Sequence, residues 1–270
     1  MKKVTLFFCI GWFTYLPVNA TDNLRIADLR TLSIGNSGVT ETPLYNPSLL
    51  ATLTQNKLYL DYYNRYSVSE LATVSGGFYF SNEMIPMGLD ISSFGYDEYR
   101  ESLFRISLGR QITQKWTIGI AIQYMMLQSE LFEENSGRVS TDIGISFRPV
   151  ENVLTGLSIL HVPSFKTGDK NIDNKHITPY FIQFGFNWSI TTTMLITGSI
   201  DHCEENPVAG SFGMEYMPLD DFSIRAGVRT SPLKPSLGVG YHIAGFDVDV
   251  GMVYHSVLGV SMGIGISFSF

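Results

Sequence analysis

From residue 56 to its end the chain alternates apolar positions with polar or small ones, in short segments separated by polar breaks. A period of two sends successive side chains to opposite faces of an extended strand, so each segment presents one apolar face. Trp116, Ile118, Ile120, Ile122, Tyr124 and Met126 form one such face, interleaved with Thr117, Gly119, Ala121 and Gln123. Tyr180, Ile182, Phe184, Phe186 and Trp188 form another. The closing segment sets Val260, Met262, Ile264, Ile266, Phe268 and Phe270 against Ser261, Gly263, Gly265, Ser267 and Ser269.

This pattern predicts an all-β chain of about fourteen strands (roughly 12 to 16), an even number as a closed antiparallel barrel requires. Their expected starts lie near residues 56, 70, 84, 101, 115, 137, 152, 178, 193, 208, 221, 236, 245 and 259. The breaks alternate in length. Short ones fall at 81–84, 111–115, 148–152, 189–193, 217–221 and 242–246, and longer, more polar ones at 92–102, 128–140, 161–179, 201–209 and 229–236. The expected architecture is therefore a transmembrane up-and-down barrel with short turns on one rim, loops on the other, and both chain ends on the short-turn, periplasmic side.

Trp116, Trp188, Tyr216, Phe222, Tyr241 and Phe246 flank the short turns, where amphipathic rings favour the membrane–water interface. The apolar faces carry no charge except Arg110, close enough to a turn to extend its head into water. A soluble β-sandwich also alternates, but it gives no reason for the aromatic belt or for a terminal Phe270.

Composition agrees with this picture. The chain is 44% hydrophobic, yet beyond residue 20 no apolar run has the length of a membrane-spanning helix, so its hydrophobicity resides in alternation. Residues 1–20 read as a secretory signal peptide: Lys2 and Lys3, an apolar run from Val4 to Val18, then Asn19-Ala20. The expected division is 1–20 leader, 21–55 an N-terminal periplasmic or luminal segment resembling a plug or hatch, and 56–270 the barrel, destined for the bacterial outer membrane. The expected partners are outer-membrane lipid, the barrel-assembly machinery through the C-terminal strand ending at Phe270, and other envelope proteins. The net charge of −7, about −9 once Lys2 and Lys3 leave with the leader, opposes nucleic acid. Cys203, the one cysteine beyond the leader, has no intramolecular partner, which excludes a disulfide framework.

Candidate chemistry lies on the inward faces. Gly109, Gly119, Gly144, Gly185, Gly213, Gly227, Gly238, Gly240, Gly251, Gly263 and Gly265 all alternate with outward residues. Glycine weakens a strand, so its repetition calls for curvature, for packing of the N-terminal segment, or for a ligand path. Glu215, Arg225, Arg229, Asp247, Asp249 and His255 are the candidate luminal charges, either neutralising one another or forming a selective constriction. No cofactor is expected and no enzymatic activity: His161, His176, His202, His242 and His255 lack a nucleophile setting, and adjacent His255-Ser256 points to opposite faces. Asp201-His202-Cys203-Glu204-Glu205 reads as a solvated acidic loop rather than a metal site.

Before the first strand, Gly35 and Gly38 precede Asn46-Pro47-Ser48. This resembles the N-terminal signature of the FadL-like superfamily, and within it the PorV/PorQ-type branch. Gly213-Met-Glu-Tyr216, Arg225-Ala-Gly227, Gly238-Val-Gly240, Asp247-Val-Asp-Val250 and His255-Ser-Val-Leu-Gly259 add to it in order. The resemblance implies either transport of hydrophobic or small molecules across the outer membrane, or an accessory barrel serving type IX-like protein secretion or surface assembly. On local grounds alone, Pro47 suits the first position of a helical turn and Asn46 its cap.

Overall fold

The computed structural model describes residue 24 and residues 28–130, 135–168, 178–203 and 206–270. The expected leader, His176, Glu204 and Glu205 lie outside these residues. The strands are β1 (Lys57–Asn64), β2 (Ala72–Phe80), β3 (Met87–Tyr96), β4 (Tyr99–Gln111), β5 (Trp116–Ser129), β6 (Ser136–Val150), β7 (Val153–Leu160), β8 (Ser164–Gly168), β9 (Phe181–Thr191), β10 (Met194–Cys203), β11 (Asn206–Leu219), β12 (Phe222–Arg229), β13 (Lys234–Ile243), β14 (Phe246–His255) and β15 (Gly259–Ser269).

All but β8 form one closed antiparallel ring of 14 strands. β1 pairs with β15 from Lys57↔Ser269 to Asn64↔Met262, which joins the two ends of the meander. β8 stands outside the ring and, among the described residues, pairs with the far end of β6, Ser164 against Ser140 through Gly168 against Ser136. Every ring strand begins within three residues of the position the alternation predicts, including β7, whose sequence has no decisive face.

The burial order is the reverse of a water-soluble protein's. Leu60, Ile91, Ile106 and Ile122 stand more than half exposed on the outside, whereas Asp90, Arg105 and Asp142 are buried inside. A continuous apolar exterior on a ring with no free edge is the condition for crossing lipid with strands. Among the described residues no helix is long and apolar enough to do so instead. At the short-turn rim Trp116 stacks on Phe147 at 4.3 Å, and Phe246 on Phe268 at 4.4 Å. Arg110 is exposed one residue before the end of β4.

Two of the expected loops are largely strand. β3 and β4 continue to Tyr96 and Tyr99, leaving Asp97 and Glu98 to make the turn. The reason is an apolar cluster on the inward side at this rim, Phe94, Leu103, Met125 and Leu127 around Leu24. Similarly, β10 runs through Cys203, which is buried with Tyr45, Leu160 and Phe181. The reading of 201–205 as a solvated loop is corrected on this point: Asp201 and Cys203 face inward and are buried.

Candidate functional site

Residues 28–56 of the N-terminal segment run along the inner wall of the barrel. Helix α1 (Leu29–Ser33) lies against β12 to β15, a 3-10 turn at Gly38–Thr40 against β7, β9 and β10, and a second at Pro47–Thr52 against β4, β5 and β6. The segment thus travels round the inner wall in the reverse order of the strands. Its described part starts at Leu24 in the far half of the lumen and reaches the short-turn rim at Asn56, which exchanges backbone hydrogen bonds with Phe270.

The inward glycines form the bed of this path. Gly119 faces the backbone of Pro47 and Ser48, Gly144 the Asn46 side chain, Gly213 the carbonyl of Ile34, and Gly238 the Ser33 hydroxyl. A Cβ at any of them would collide with the segment. Gly119 and Gly144 are register partners, as are Gly213 with Gly227 and Gly251 with Gly263, so the track passes from strand to strand. Gly156 of β7 belongs to it too, against Val39 and Asn46, although its undecided strand gave no signal for it.

The motif residues hold the segment to the wall. Gly35 adopts φ +80, and its amide donates to Ser236 Oγ at 3.0 Å. The Tyr45 ring occupies the space a side chain at Gly38 would need. Asn46 is fully buried and caps the turn begun by Pro47: its Oδ1 accepts from the Ser48 amide at 3.2 Å. Its Nδ2 donates to Val39 O at 2.9 Å and Ser146 Oγ at 3.1 Å. Phe270 stacks on Phe268 at the outer rim.

Three of the six candidate charges meet in one chain of ion pairs. Arg225 pairs with both Glu215, its register partner, and Asp249. Arg30 of α1 joins them, with Nε 2.9 Å from Glu215 and NH1 2.6 Å from Glu41. Burial pushes the Glu41 carboxyl above its ordinary range, against the pull of Arg30. The other three lie apart. Arg229 makes a two-pronged pair with Asp201 at 2.6 and 2.7 Å. Asp247 meets exposed His242 at the short-turn rim, 2.6 Å away. His255 accepts from the Val257 and Leu258 amides, each at 3.2 Å, closing the β14–β15 turn.

A second network was not anticipated. Arg105 pairs with Asp90 at 3.0 Å and Asp142 at 3.2 Å, and donates to Pro43 O of the segment at 3.1 Å. Tyr59 reaches over Gly77 to donate to Asp90 at 2.7 Å, while Gln123 and the His161 amide donate to Asp142. The available signal was parity: Asp90 lies between outward Leu89 and Ile91, Arg105 between Phe104 and Ile106, and Asp142 beside Ile143. Arg30 and Glu41, in the non-periodic segment, had no such signal.

Between the first network and the short-turn rim lies a cavity of about 400 Å³, lined among others by Arg30, Glu41, Asp61, Glu215, Arg225 and Asp249 and bordered by the turn residues Asp220 and Asp221. Apolar residues, Leu44, Leu53, Met217 and Phe222 among them, share the lining of this vestibule with these charges. Among the described residues no cluster of ligands suited to a metal ion is present.

No protein-family model and no curated protein matches the sequence. Solved structures do match in fold. The toluene transporter TodX of Pseudomonas putida superposes with a TM-score of 0.66 at 10% identity, over 92% of this chain and 99% of its own. A Pseudomonas aeruginosa FadL homologue gives 0.58 at 11% identity, over 91% and 98%. The Acinetobacter baumannii outer membrane protein Omp33 gives 0.51 at 10% identity, over 80% and 98%. At such identities the likeness is one of architecture: the chain is a closed fourteen-stranded antiparallel β-barrel, similar in fold to these outer-membrane proteins.

Proposed function

We propose that this protein transports small molecules, hydrophobic ones included, across the bacterial outer membrane, and that its N-terminal segment closes the lumen until it is displaced. The observation that carries this reading is the way the segment is held. It lies on a bed of glycines, fixed by polar and ionic contacts through Arg30, Asn46 and Ser48, so it can shift without breaking a barrel hydrogen bond. Such contacts contribute only about 0.5 to 3 kcal/mol each, which suits a reversible closure. The barrels it resembles in fold, a toluene transporter and a FadL homologue, support the same reading.

One observation favours a second reading, an accessory barrel for protein secretion or surface assembly of the PorV/PorQ type. Ile34, Leu50 and Asn46 of the segment are fully buried against the wall, as a scaffold with no cargo of its own would permit. Deleting the gene separates the two. Transport requires that uptake of labelled fatty acid or of another small solute falls while the surface proteome is unchanged. Unchanged uptake across such a panel, with surface proteins lost, would establish the scaffold instead.

A further inference from the structure

The vestibule at the short-turn rim contains a deeply buried carboxylate. Asp61 of β1 is 3% exposed, and its Oδ2 has no hydrogen-bond partner. The carboxylate lines the cavity, and the Leu29 amide is the donor it has. An ionised carboxylate removed from water is costly unless a charge or several donors meet it.

Lys57 of the same strand acts on it, but the carboxylates of Asp28 and Asp249 oppose that pull. In register, Asp61 stands beside Gly265, and Gly265 beside Asp249, so two carboxylates flank a strand position with no side chain between them. Asp249 shares Arg225 with Glu215, and Glu215 shares Arg30 with Glu41. The wall of the cavity therefore sets Asp28, Glu41, Asp61, Glu215 and Asp249 against the two guanidinium groups of Arg30 and Arg225. Asp220 and Asp221 add acidity at the mouth, against Lys57. The Asp28 side chain caps α1 through the Thr31 amide and gives no positive charge back.

We infer that this vestibule is a binding site for an organic cation, an alkylammonium or guanidinium group, with Asp61 as its anchor. The Asp61 carboxylate lies over Gly265, on the side of Asp249, so one cation can make charge-assisted hydrogen bonds to both. The faces of Tyr59 and Tyr79, which also line the cavity, suit a cation as well. The carboxylates are spread round a space of about 400 Å³, within the range of small-molecule sites. Among the described residues they do not converge as metal ligands do. This inference is independent of the transport reading: binding without transport overturns only the latter, and transport without binding overturns only the former.

The test is calorimetric titration of the purified full-length barrel in detergent with putrescine, with the isosteric but neutral 1,4-butanediol, with succinate and with magnesium ion. Putrescine binds, and more weakly as salt is raised; the diol and the dianion do not. Asp61→Asn, nearly the same shape, lowers putrescine affinity at least tenfold, while Asp97→Asn in an exposed turn changes nothing. Equal putrescine affinity in Asp61→Asn and wild type overturns the site, as does butanediol binding equal to putrescine, or Asp61-dependent magnesium binding with none of the diamine. Retention of the compact unheated band on a denaturing gel verifies that Asp61→Asn is folded. Should it not fold, the comparison of diamine with diol on the wild-type protein decides.

Discussion

The lumen holds two charge networks of similar composition and opposite design. Around Arg105 the charges are sealed: Arg105, Asp90 and Asp142 have side chains no more than 1% exposed, and Tyr59, Gln123 and the His161 amide complete the donors. It ties β1, β3, β4, β5 and β6 together, and meets the N-terminal segment at Pro43 O and where Tyr59 packs on Leu50, with no ion pair to it among the described residues. Around Arg225 the network borders the vestibule, and its central pair reaches the segment itself, since Arg30, 29% exposed in its side chain, bridges Glu215 and Glu41. The difference separates two tasks. One network fastens the wall, and the other fastens what lies inside it.

If that division holds, the largest effect comes from Arg105→Met. It leaves Asp90 and Asp142 buried without a cation, a loss of about 3 to 5 kcal/mol. The compact, unheated form on a denaturing gel should convert at a markedly lower temperature. Glu215→Gln is expected to cost less, about 2 kcal/mol, and to fall elsewhere. The conversion temperature changes little, while protease cleavage within residues 28–52 speeds up by an order of magnitude. A Glu215→Gln barrel as heat-labile as Arg105→Met would erase the distinction between the networks. The smallest effect is that of Ser48→Ala, which loses the hydroxyl's contacts with Asn46 Oδ1 and Ser146 Oγ, about 1 kcal/mol. It too should show in segment protection rather than barrel stability, and by less than Glu215→Gln.

Strand faces were legible from the sequence because a lipid-facing wall forbids exceptions: a single charge at the bilayer midplane costs about 2 to 4 kcal/mol. Parity therefore placed Glu215, Arg225 and Asp249 inward. It does not say which inward residues become neighbours, since that depends on the closed ring and the register of each pair. Arg105 next to Asp90 follows from β3 and β4 alone, but its contact with Asp142 skips a strand across the curved interior. Arg229 meets Asp201 by skipping β11 in the same way. The glycines were readable as inward, with packing of the N-terminal segment one of the three reasons open for them. What occupied them, an aperiodic stretch from α1 to Thr52, carries no alternation from which its path could be read.

Closure of the lumen by residues 28–52 is tested most directly by locking the segment to the wall. Ser48 Oγ and Ser146 Oγ lie 2.6 Å apart, so Ser48→Cys with Ser146→Cys, in a Cys203→Ser background, joins the second 3-10 turn to β6 through a reducible bond. The measurement is solute-driven swelling of proteoliposomes containing the double variant, before and after reduction. The oxidised barrel should admit no solute, and the reduced one should match the unlocked protein. Equal flux in the two states would mean that solutes pass without moving the segment, and the closure proposed for it would be wrong.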